Sequence, residues 1–137
     1  MVDKDLILRK LADLDQYLDQ ISEYRYITVE QYREDWKTQR IVERTLQMTI
    51  ETCVDIANHV IADREIRVPT TYADAFESLS EAGFLDAAQR DAMIRMTKFR
   101  NVIVHDYMRV DPAVVVKILR EHLDDLTQFK TAVLSWI

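Results

Sequence analysis

Apolar residues recur at helical spacing almost from the start of this chain. Ile7, Leu11, Leu14, Leu18 and Ile21 step by four and three positions, which places them on one face of a helix predicted over residues 2–25. Thr28 can then act as an N-cap, with Gln31 three positions on as its capping-box partner, and Ile27 and Tyr32 fall at the two positions of a hydrophobic staple. A second helix is predicted to start near Val29. Leu46, Ile50, Cys53, Ala57 and Val60 keep its stripe, and no breaker comes before Pro69. About 35 residues of helix would span roughly 50 Å. That is longer than a small domain is wide, so a bend or an overhanging end is expected, and an overhang often serves dimerisation.

The segment RVPTTYADAFESLSEAGF reads as a connection followed by a short helix. Thr71 caps it, Asp74 sits in its first turn, Gly83 is its C′ residue, and Phe84 supplies the hydrophobic contact of a Schellman motif. Asp86, with Gln89 three positions later, caps the next helix, whose stripe is Ala92, Met96, Phe99 and Ile103. Asp111-Pro112 opens the last, with proline at the favoured first position. Val116, Leu119, Leu123, Leu126 and Val133 line it. The predicted fold class is all-α: one domain over residues 1–137, an antiparallel bundle of four main helices plus a short helix.

Composition supports the helices and narrows the setting. An average chain of this length would carry roughly ten glycines; this one has a single glycine and two prolines. Tight hairpins want residues that tolerate positive φ, so a sheet has little to turn on. Cys53 is the one cysteine, which excludes an internal disulfide and a Cys-rich zinc site and fits a reducing compartment. The N-terminus has charges on both sides of a very short apolar stretch, unlike a signal peptide. No apolar run approaches the ~18–20 residues of a membrane span. A cytoplasmic protein with no membrane partner is expected.

The formal net charge of −6 argues against a nonspecific nucleic-acid coat. Locally the balance reverses. From Arg90 to Arg109 five basic residues (Arg90, Arg95, Lys98, Arg100, Arg109) face two acids (Asp91, Asp106), a balance of +3.

The chain's most conspicuous polar cluster lies inside this basic island, in KFRNVIVHDY. On a regular helix, residues four apart differ by about 40° and residues five apart by about 140°. Asn101 and His105 therefore share a face, whereas Arg100 and His105 converge only if the helix loosens or ends between them. An end there is expected, because Asp111-Pro112 starts the next helix; it would also expose Tyr107. By residue type alone the bland reading weighs more: a helical histidine is usually a surface or satisfied core residue, and an arginine before an apolar run usually snorkels or pairs with an acid. His59 and His122 fall wholly under that reading. There is no Gly-rich phosphate loop, no HExxH and no usable Ser-His-Asp order.

FRNVIVHDY resembles the Arg-x4-His-x-Tyr motif of the HepT-like ribonuclease toxins, a branch of the HEPN superfamily. The likeness extends over about the whole chain, since TQRIVERTLQMTIETCVDIANHVI, PTTYADAFESLSEAGF and MTKFRNVIVHDY are similar, in order, to the family's successive segments. Lys98 departs from it, standing where such proteins often carry a glycine. The resemblance implies an all-helical homodimer whose two motif-bearing segments face each other across a cleft. It implies an RNA endonuclease without metal or cofactor, with Arg100 and His105 as the catalytic pair and Asn101 as an auxiliary polar residue. Tyr107 matches a tyrosine to which the partner antitoxin, a minimal nucleotidyltransferase (MNT), attaches AMP. The pair forms a toxin–antitoxin module. Arg95 and Lys98 are weaker candidates for contacts to RNA, and a structured RNA such as tRNA is the candidate substrate.

The residue types suit that chemistry. The 2′-hydroxyl of RNA attacks the neighbouring phosphate and builds negative charge on its oxygens. An arginine offers a planar, always-charged fork to those oxygens, and a histidine takes or gives a proton near neutral pH. The expected products carry a 2′,3′-cyclic phosphate and a 5′-hydroxyl. Two rival readings are a non-catalytic helical module that binds a nucleotidyltransferase or a nucleotide, and a purely structural bundle. The intact Arg100, His105 and Tyr107 set favours the enzyme.

Overall fold

The computed structural model describes residues 3–137. Among them are seven α-helical segments and no strand: α1 (Lys4–Ser22), α2 (Val29–Glu34), α3 (Trp36–Asp63), α4 (Tyr72–Glu81), α5 (Ala87–His105), α6 (Pro112–Lys117) and α7 (Leu123–Trp136). A π-turn over Ile118–His122 joins α6 to α7 as one long last helix. Four long elements form the bundle: α3 packs on α1 and α5, and α7 packs on both of those from the other side. Among the described residues no helix is long and apolar enough to cross a membrane.

The caps read from sequence are in place. Thr28 and Gln31 form a complete capping box at α2, as Asp86 and Gln89 do at α5. Thr71 caps α4 through the Asp74 amide. At the end of α4 the Phe84 amide donates to the Leu79 carbonyl at 2.9 Å and the Gly83 amide to Ser80 at 3.0 Å, which is the full Schellman pair. Gly83 takes φ +87°, where a side chain is strained. The Phe84 ring meets Trp136 edge-on at 5.2 Å, pinning this corner to α7.

Three expectations are corrected. The first helix, expected to reach residue 25, ends at Ser22 in a turn over residues 23–26; it starts at Lys4, capped by the Asp3 carboxylate accepting the Leu6 amide, and residue 2, the predicted start, lies outside the described residues. The long second helix is broken. Asp35 is extended (φ −122°, ψ 98°), and its carboxylate takes the amides of Lys37 and Thr38 and the Thr38 hydroxyl. That cap splits off α2, so the bundle carries two short helices, and α3 spans about 42 Å rather than 50. The last helix, expected to be regular, contains the π-turn, where adjacent Ile118 and Leu119 are both buried.

The predicted stripes are the core. Leu14, Ile21, Leu46, Ile50, Cys53, Ala57, Val60, Leu119, Leu126 and Val133 are fully buried, with Phe76 and Phe129 meeting edge-on at 5.6 Å. Polar pairs lock the outside. Lys10 of α1 pairs with Asp55 of α3, and Arg67 holds both Asp74 and Glu81 across the α3–α4 connection.

Candidate active site

The last two turns of α5 and the bend after them carry the motif. Helix α5 stays regular through His105, where the Asp106 amide donates to the Val102 carbonyl at 2.9 Å. A short 3-10 turn, Tyr107–Arg109, then leads towards the Asp111 cap of α6. The end expected between Arg100 and His105 is not there: α5 runs unbroken through both and stops only after His105. Those two residues therefore leave α5 about 140° apart around the helix axis.

Arg100 points inward. Its side chain is 14% exposed, and its Nε and Nη2 both donate to Oε1 of Glu51 on α3, at 2.9 and 2.7 Å. Its Nη1 donates to Asn101 Oδ1 at 3.1 Å. The Tyr72 ring, at the start of α4, lies 4.7 Å from the guanidinium carbon. Gln47, one turn before Glu51, donates to the same Glu51 oxygen at 3.1 Å. Partial burial pushes the Glu51 carboxyl up, but the hydrogen bonds from Arg100 and Gln47 and the charges of Arg100 and Arg44 outweigh it and hold the group below its ordinary value.

His105 is exposed and makes no hydrogen bond or ion pair among the described residues. Asn101 shares its face and is exposed too. Lys98, two turns before His105 and about 20° from it around the helix, is also exposed on that side. Arg95 stands elsewhere, lining a cavity of about 210 Å³ with Met96, Phe99, Lys117, Ile118 and His122. Tyr107 is 59% exposed and its neighbour Met108 81%. The other two histidines are partnered: His59 lies 3.6 Å from Asp55, and His122 Nδ1 lies 3.2 Å from Asp125.

The family model for HepT-like ribonucleases ("Ribonuclease HepT-like") matches residues 14–133. The chain belongs to the HepT-like ribonuclease family. It is 30% identical over 125 residues to the mRNA nuclease HepT of Shewanella oneidensis, covering 91% of this chain and 93% of that protein. It is 26% identical over 107 residues to the tRNA nuclease HepT of Aphanizomenon flos-aquae, covering 78% of this chain and 73% of the relative. Its fold matches a solved structure of the tri-AMPylated Shewanella oneidensis HEPN toxin in complex with its MNT antitoxin, with TM-score 0.89 and 29% identity over 96% of this chain and 98% of that one. The Arg-x4-His-x-Tyr segment thus runs from the last turns of α5 into the turn after it, and its arginine is held by Glu51, Asn101 and Tyr72.

Sequence reasoning placed the motif on the right helix but missed Glu51, Gln47 and Tyr72. Glu51 and Gln47 are one turn apart on α3 among many other acids and amides. Nothing in the order of residues pairs position 51 with position 100.

Proposed function

We propose that this chain is the ribonuclease toxin of a toxin–antitoxin pair, cutting RNA by way of the substrate's own 2′-hydroxyl. The observation that carries the reading is the arginine in the intact motif: Arg100 is held against Glu51 and Tyr72 yet keeps donors to spare. A guanidinium has five N–H donors, and three of them are engaged. The remaining two, one on each terminal nitrogen, suit the oxygens of a phosphodiester.

The reaction follows from the residue types. A base removes the proton of the 2′-hydroxyl as that oxygen attacks phosphorus. The P–O bond to the 5′-oxygen breaks, and an acid protonates the departing oxygen. Arg100 stabilises charge on the non-bridging oxygens. His105, exposed at the helix end, is the proton-transfer group. One imidazole does not readily serve as base and acid in the same step, and a homodimer would bring a second His105 to the same cleft. Asn101 orients Arg100 from the adjacent position. Lys98, on the His105 face, is the better placed of the two basic candidates for a phosphate contact, and Arg95 the worse.

Tyr107 is the acceptor for AMP from an MNT antitoxin, and its exposure gives a nucleotidyltransferase access. The protein acts in the cytoplasm, where its RNA is; tRNA is the favoured substrate because a chain of net charge −6 has weak extended grip on long RNA. Purified protein incubated with cellular RNA and a chelator is expected to leave 2′,3′-cyclic phosphate and 5′-hydroxyl ends. RNA left intact by the unmodified dimer would support a non-catalytic partner module instead.

A further inference from the structure

We infer that Glu51 and Tyr72 are positioning residues for Arg100, forming a clamp that fixes the edge of its guanidinium offered to the scissile phosphate; this rests on the ribonuclease reading above. Three helices meet at one side chain: α3 supplies Glu51, α4 supplies Tyr72, and α5 supplies Arg100 itself.

The mode of pairing separates a clamp from an ordinary stabilising ion pair. An arginine that only neutralises a carboxylate commonly meets it fork to fork, with two parallel N–H bonds to two oxygens. Here one oxygen, Oε1, receives both Nε and Nη2, and it also receives Gln47. The contact therefore runs along the side of the guanidinium that contains Nε. The terminal nitrogens each keep an uncommitted N–H. The guanidinium carbon lies over the Tyr72 ring at 4.7 Å, a contact that opposes swinging of the group away from it.

The local fold makes the clamp stiff. Glu51 lies mid-way along α3, between the fully buried Ile50 and Cys53. Tyr72 is fixed at the first turn of α4 by the Thr71 cap, and the adjacent connection is tied by Arg67 to Asp74. Glu51 also reduces the net charge that Arg100 presents. A clamp of this kind serves orientation more than attraction, so its loss is read in turnover rather than in substrate affinity.

The test measures steady-state cleavage of an end-labelled mRNA transcript and of total tRNA, with chelator present. Glu51→Ala is expected to lower kcat ~10–100-fold while KM moves by less than about threefold, with helicity and Tm close to wild type. Glu51→Gln, which keeps an acceptor oxygen at the same reach, restores most of that loss. Tyr72→Leu is expected to lower kcat ~2–10-fold, from the scale of an exposed cation–π contact, and Tyr72→Phe to restore it. Position 72 is partly exposed, so this pair remains informative if Glu51→Ala folds poorly. In an Arg100→Lys background the Glu51→Ala effect should largely vanish, because both act through one group. A folded Glu51→Ala enzyme with wild-type kcat, or an undiminished Glu51→Ala effect in the Arg100→Lys background, would overturn the clamp. Wild-type cleavage by Arg100→Ala would instead overturn the ribonuclease assignment of Arg100 itself.

Discussion

Arg100 and His105 leave α5 on different faces, the first turned inward to Glu51 and the second exposed in the helix's last turn. Within one chain only the Arg100 tip, through Nη1 on Asn101, reaches towards the His105 face. Exposed apolar residues surround His105: Val102 and Val104 on α5, then Tyr107 and Met108 in the turn after it. A cluster of this kind, rimmed by Asn101, Asp106 and Arg109, favours a protein contact. The expected state is a homodimer that pairs the two α5 ends. Light scattering at micromolar concentration should give about twice the 16.2 kDa chain mass. A mass of one chain across that range would exclude the composite site.

Catalysis should fall with the motif and survive loss of the other histidines. His105→Ala is expected to lose ~10²–10⁴-fold in kcat, the scale of general acid–base catalysis. Arg100→Ala should lose ~10²–10³-fold, the scale of one charge-stabilising donor. His59→Ala and His122→Ala remove contacts to Asp55 and Asp125 away from α5's end and should cleave at close to the wild-type rate. Circular dichroism on each variant separates chemistry from folding. An active His105→Ala enzyme would refute the assignment of the proton-transfer group.

The sequence was most legible where a single helix decides the outcome. Apolar stripes, capping boxes at Thr28 and Asp86, and the Gly83 terminus all depend on neighbours within a few positions, and all are present. Asp35 was missed although its signal is also local. An aspartate followed three positions on by a threonine can cap a helix, but VEQYREDWKTQR also reads as uninterrupted helix formers. The Glu51–Arg100 pair was not legible, because it joins positions 49 apart through the packing of α3 on α5. The divergence of Arg100 and His105 was readable as an angle, yet it needed the observed regularity of α5 to become a conclusion.

Two helix ends permit opposite tests of backbone strain. Gly83 ends α4 at φ +87° with open space around the missing Cβ, so Gly83→Ala introduces conformational strain without a clash. A loss of ~1 kcal/mol is expected. Glu65 ends α3 at φ +53°, with the Ile66 amide closing the turn on Ile61, so a non-glycine residue occupies a position that suits glycine. Glu65→Gly relieves that strain but frees the unfolded chain, for a net gain of ~0.5 kcal/mol. Thermal melts should move in opposite directions by a few degrees. Equal shifts of the same sign would show that neither helix end stores the strain argued here.

Tyr107 should be the point at which the toxin is silenced. It stands two residues past His105 in an exposed 3-10 turn, with its ring free to stack on a base. AMP attached to the phenol oxygen would add a bulky group and a negative charge where the substrate phosphate must sit. That charge would engage the free donors of Arg100, and the nucleotide would fill the space needed by RNA. Modification should therefore abolish cleavage while leaving the melt of the bundle unchanged, and it should require the partner nucleotidyltransferase, ATP and magnesium. Tyr107→Phe keeps the ring and removes the acceptor oxygen. That variant is expected to escape neutralisation, even with some loss of its own rate. Intact-mass spectrometry after co-expression with the partner provides the measurement: AMP adducts on the wild type and none on Tyr107→Phe are expected. A wild-type protein that is inactivated without any adduct would replace this account with simple occlusion by binding.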